Sequence, residues 1–102
     1  MDNANEKHLT DQLCAVLASL ADAEEVRLFL EDLCTAKEVE YMAQRVEAAR
    51  LLMSGLTYQE VTERISISSA TLTRVSKCVK ADHGYQRVLR RYTKSKKEGE
   101  RK

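Results

Sequence analysis

Between residues 57 and 80 the chain carries a dense set of short hydrogen-bonding and basic side chains suited to a polyanion with readable edges. A guanidinium such as that of Arg74 can grip the O6 and N7 acceptors of a guanine through two parallel hydrogen bonds. The hydroxyls of Ser68, Ser69 and Thr73 can bond bases or phosphates, and the Ala70 methyl can touch a thymine methyl. Thr57, Gln59, Lys77 and Lys80 are better placed for phosphate oxygens.

These residues act together only if one element presents them on one side, and the apolar spacing supplies that element. Val61 and Ile65 face inward from a short helix that Thr57 would cap, Ile67 fills a corner, and Leu72 and Val75 close the inner side of a second helix over residues 69–80. Two short helices sharing one buried set across a three-residue turn have helix-turn-helix spacing. The outer side of the second helix is then polar and narrow enough for a major groove about 12 Å wide. Two positions depart from common usage. Ser66 stands at a corner where Gly often supplies positive φ, and Thr62 where a small Ala often lets helices approach.

The remaining chain also reads as helix. Leu9, Leu13, Val16, Leu17 and Leu20 form one stripe, predicting a helix over residues 6–20. Asp22 and Glu25 make a capping-box signature ahead of a helix reaching about Cys34, with the chain's one Phe, Phe29, expected in the core. Thr35 and Glu38 repeat the box before a longer helix that keeps its period through Met53 and stops at Gly55. Asp82-His83-Gly84 predicts a turn and residues 85–92 a last amphipathic piece. We expect one all-α domain over residues 1–92 and a basic, disordered tail over residues 93–102.

The net charge of +1 conceals a division. Residues 1–73 hold six Lys/Arg against thirteen Asp/Glu, a net −7, whereas residues 74–102 hold eleven against three, a net +8. Basic charge gathered in the last third suits a polyanionic partner. Cys14, Cys34 and Cys78 contain no C-x-x-C pair, which argues against a disulfide framework or zinc site and for a reducing cytoplasm. No apolar run nears the roughly 20 residues a membrane span needs, and no basic-then-apolar leader opens the sequence. His8 and His83 lack a nucleophile partner in their segments, so we expect no enzyme and no cofactor.

Thr35-Ala36-Lys37-Glu38, Ala43-Gln44-Arg45-Val46, Leu51-Leu52 and Ser69 through Val75, with Cys78-Val79-Lys80 and Gly84-Tyr85, together resemble the Trp repressor superfamily, and within it the YerC/YecD branch. The resemblance covers about residues 28–89. It implies a Trp repressor-like helical bundle, an intertwined homodimer, and a transcriptional regulator, in kind a repressor, that reads double-stranded DNA with the helix 69–80. It also names Thr35, Arg45 and Arg74 as the positions matching the family's tryptophan-binding Thr and two Arg. Val75 stands where that family's repressor has Gly, so its side chain would compete for the indole space, and tryptophan or another small effector is the weaker expectation. The alternative class is a helical module docking on protein or RNA without sequence-specific DNA binding. Few aromatics for stacking disfavour RNA.

Overall fold

A computed structural model describes residues 3–100, with side chains for residues 4–95. Six helices follow one another: α1 (Asn3–Ala18), α2 (Ala23–Leu33), α3 (Ala36–Met53), α4 (Tyr58–Arg64), α5 (Ser69–Lys80) and α6 (Gly84–Glu100). No strand occurs among the described residues. No helix there is long and apolar enough to cross a membrane. The described residues fall into two compact units, divided between Val39 and Glu40.

Local chemistry fixes the helix ends. In the first unit the Glu25 N–H donates to Asp22 Oδ1 (2.9 Å), and the Ala21 N–H donates to Glu25 Oε1 (3.0 Å). Thr35 and Glu38 satisfy each other reciprocally: the Glu38 N–H donates to Thr35 Oγ1 (3.1 Å) and the Thr35 N–H to Glu38 Oε1 (2.8 Å). In the second unit α3 ends in a Schellman arrangement. The Leu56 N–H donates to Leu51 O (3.2 Å) and the Gly55 N–H to Leu52 O (3.0 Å), with Gly55 at φ 101°.

The first unit has no buried side chain among its described residues, and Phe29, expected in the core, is half-buried. The α1 stripe predicted from periodicity is present but uncovered: Leu9 and Leu13 are 55% and 40% exposed. The apolar residues of two short helices have too little of each other to hide against, and propensity and caps carry these helices instead.

The second unit holds the core. Ala48, Ala49 and Leu51 of α3, Val61 of α4, Leu72, Val75 and Val79 of α5 and Leu89 of α6 form one buried cluster, with Leu56, Ile65, Ile67 and Tyr85 packed around it. α6 runs on to Glu100, so residues 93–100 are helical where composition predicted disorder. Lys and Glu are good helix formers, and residues 85–98 contain neither Gly nor Pro, so nothing local ends the helix at Tyr92. The expected tail's last residues, Arg101 and Lys102, lie outside the described residues.

Accepting the cap N–H and hydroxyl of Thr57 holds the Glu60 carboxyl below its ordinary value, and Thr35 does the same to Glu38. A carboxyl depressed in the folded state contributes stability that is complete above its unfolded value, about 4.5, and is lost as pH falls through the lower folded value. Denaturant midpoints measured from pH 7 to pH 2 should therefore decline below about pH 4.5. Glu38→Gln with Glu60→Gln should flatten that limb.

Candidate nucleic-acid interface

The corner between α4 and α5 is built from its caps inward. The Glu60 N–H donates to Thr57 Oγ1 (3.2 Å) while the Thr57 N–H donates to Glu60 Oε1 (2.9 Å), starting α4 at Tyr58. Ile65 caps its end in an extended conformation, with its N–H donating to Val61 O. Ser68, also extended, starts α5 by accepting the Thr71 N–H at 3.2 Å. Among the described non-glycine residues only Asp82 has positive φ, so Ser66 turns the chain without the left-handed conformation a Gly would supply. Extended residues on both sides of Ile67 make the bend, and Ile67 itself packs against the core.

That corner sorts the side chains. Val61, Leu72 and Val75 are 0–2% exposed, the largest fully buried side chains among the described residues, and Ile65 is half-buried. Ser69, Ala70, Thr73, Arg74 and Lys77 on α5, with Lys80 at its end, are all exposed. Arg74, Lys77 and Lys80 make no ion pair among the described residues. Thr62 is exposed and its hydroxyl donates to Gln59 O (2.9 Å), so its bulk obstructs no approach of the two helices.

The hydrogen bonds rank the hydroxyls named from sequence. Ser68 donates to Thr71 Oγ1 (2.9 Å) in addition to capping α5, which commits its one proton to the helix start. Thr73 donates to Ser69 O (2.9 Å), a bond inside the helix that a base or phosphate has to displace. Thr57 accepts the Glu60 N–H in the cap and its hydroxyl also bonds the Glu60 carboxyl, so a phosphate has to displace that contact. Gln59 reaches Glu63 at 3.4 Å, a weak contact. Three side chains that sequence reasoning passed over hold the assembly in place. Thr71 is half-buried as the partner of Ser68, Ser76 is 4% exposed inside α5, and Gln86 Nε2 donates to Val79 O (3.0 Å) across the α5–α6 corner. Gln86 was not legible because its partner is a helix-end carbonyl seven residues earlier, which no periodicity marks.

The effector positions are placed differently. Thr35 lies in the first unit with its hydroxyl oxygen engaged by Glu38, whereas Arg45 and Arg74 lie exposed in the second. Val75, beside Arg74, is buried in the core cluster. Cys14, Cys34 and Cys78 form no disulfide, and no group of His, Cys, Asp and Glu among the described residues is arranged for a metal ion.

Comparison with known proteins gives a consistent result. The sequence profile of the family described as Trp repressor protein matches residues 8–93. The chain is 37% identical over 103 residues to the uncharacterized protein YerC of Bacillus subtilis strain 168, covering 100% of this chain and 98% of that one. The crystal structure of a TrpR-like protein from Eubacterium eligens superposes with a TM-score of 0.80 at 33% identity, covering 90% of this chain and 96% of that one. The structure of a candidate Trp repressor from Staphylococcus aureus gives 0.79 at 27% identity, over 91% and 96%.

Because Arg74 and Lys77 are exposed and bear no packing, truncating them should leave the fold alone. Arg74→Ala and Lys77→Ala should each unfold within about 0.5 kcal/mol of the parent in urea. Leu72→Ala, by contrast, should lose about 2–5 kcal/mol.

Proposed function

The chain belongs to the Trp repressor family, and on that premise we propose that it is a transcriptional regulator that binds duplex DNA sequence-specifically as a homodimer. It acts as a repressor in the cytoplasm, bringing α5 into the major groove, and it is not an enzyme. One observation carries the proposal. Burial of Val61, Leu72 and Val75 on the inner side of the corner leaves Ser69, Thr73 and Arg74 exposed together on the outer side of α5. Arg74 reads a base edge, Ser69, Ala70 and Thr73 complete the reading face, and Thr57, Gln59, Lys77 and Lys80 set the register on phosphates. Ser68 serves the interface indirectly, by fixing where α5 begins.

The homodimer is supported by the apolar side chains a single chain leaves wet. Leu9 and Leu13 of α1, Val46 of α3 and Val88 and Tyr92 of α6 are 40–55% exposed. Packing such side chains between copies would remove apolar area from water. A symmetric dimer implies a symmetric operator.

The same proposal dispenses with tryptophan. Val75 fills with a buried isopropyl group the position next to Arg74 where the family's repressor has only a hydrogen, and the matching Thr35 spends its oxygen on capping α3.

Selection from random duplexes should recover an inverted repeat with half-sites about 10 bp apart or a multiple of it. Arg74→Ala should cost about 1–3 kcal/mol on the selected site and relax preference at one position per half-site. Lys77→Ala should weaken selected and unselected duplexes alike. An unenriched pool would favour a protein-docking module instead. Millimolar tryptophan should leave the affinity for the selected site unchanged in a fluorescence anisotropy titration, and a rise of tenfold would restore the effector.

A further inference from the structure

The basic charge of α6 is not used by the reading helix, and its placement is ordered. Arg87, Arg90, Arg91 and Lys94 stand at i, i+3, i+4 and i+7, one stripe on the side of the helix opposite Tyr85 and Leu89. All four are exposed. Among the described residues the stripe meets one carboxylate: Arg90 Nη2 lies 3.4 Å from Asp82 Oδ1, with both side chains about two-thirds exposed, where an ion pair is weak. Arg87, Arg91 and Lys94 make no ion pair among the described residues. Arg90 and Lys94 also border an open cleft of about 490 Å³, lined besides by Met53, Leu89 and Arg50 of α3, whose guanidinium is paired with Glu47 through two hydrogen bonds (2.7 and 2.9 Å).

α6 is fixed to the reading helix. Leu89 is 7% exposed in the same core cluster as Leu72 and Val75, and Gln86 bonds the Val79 carbonyl near the end of α5. A duplex engaged by α5 is therefore held against a body that carries this second basic surface. Arg87, Arg90, Arg91 and Lys94 follow one another along the stripe with no apolar residue among them, whereas the apolar hot spots of a protein interface sit at its centre. Phosphates need only cations and donors.

We propose that the α6 stripe is a second, sequence-independent contact to duplex DNA, in which Arg87, Arg91 and Lys94 neutralise phosphates outside the base pairs read by α5. It rests on the assignment of α5 as a DNA-contacting helix, and it adds affinity for every sequence equally.

The test uses the full chain with Arg87→Gln, Arg91→Gln and Lys94→Gln together, titrated against a selected and a random duplex between 50 and 200 mM salt. Each lost phosphate contact should reduce the slope of log K against log salt by about 0.9, and each substitution removes one contact from each protomer of the dimer, so the triple variant should be shallower by about 5.4 on both duplexes. Arg87→Lys with Arg91→Lys should keep the parental slope, because charge is conserved. If the triple variant fails to fold, Lys94→Gln alone, at an exposed site, should lower the slope by about 1.8, one contact being lost from each protomer. An unchanged slope, or a loss confined to the selected duplex, overturns the stripe while leaving base reading by α5 intact. A parent that shows a steep slope but no preferred sequence, flattened in the variant, keeps the stripe and removes base reading. A parent that binds no duplex removes both, and a variant that loses its dimer mass with an unchanged slope assigns the stripe to contacts between copies and overturns the proposal.

Discussion

Everything at the candidate interface depends on three side chains sharing one dry space. Val61 from α4 and Leu72 and Val75 from α5 are buried against Ala48, Ala49 and Leu51 of α3. Removing each from water is worth about 1.5–3 kcal/mol, more than any single surface contact in the molecule can offer. Because Leu72 and Val75 must point inward, Thr73 and Arg74, which lie between them in sequence, are driven out. The polar face of α5 is thus a by-product of burial, made definite by the caps at Thr57 and Ser68 that set where each helix begins.

Most of this was legible in the sequence because the deciding signals are local. Capping boxes at Thr35 and Thr57, the Ser68 cap and the Gly55 stop each involve residues within five positions of one another, and all appear where expected. The inner set Val61, Leu72 and Val75 followed from spacing for the same reason. What escaped depends on relations that spacing does not encode. Phe29 looked like core because of its chemistry, but its surroundings cover it only in part. The length of α6 was underestimated because a Lys-rich composition signals solvation, not the absence of helix. The positive φ of the α5–α6 corner falls on Asp82 (53°) and not on Gly84, a choice between neighbours that composition cannot make.

The electrostatics divide along the chain as the packing does. The acidic charge sits with the exposed helices of the first unit, and the basic charge begins at Arg74 and continues through α6. Hydrophobic burial is concentrated in the second unit, whereas the apolar stripe of α1 remains in water. The first unit exposes apolar surface, and the second exposes both concentrated positive charge and the apolar side chains of Val46, Val88 and Tyr92. On the proposed reading, a self-complementary assembly would relieve the apolar surface and a nucleic acid the positive charge.

The three-residue corner at Ser66-Ile67-Ser68 also sets the angular phase of α5. Successive residues of an α-helix are rotated by about 100°, so adding or deleting one residue between Ser68 and Leu72 would carry the inward pair out and Arg74 toward the core. This segment should accordingly hold its length while its outward side chains are free to vary. Innovation in such a protein proceeds by exchange of side chains on a fixed frame, and insertions are confined to places that do not index the reading helix.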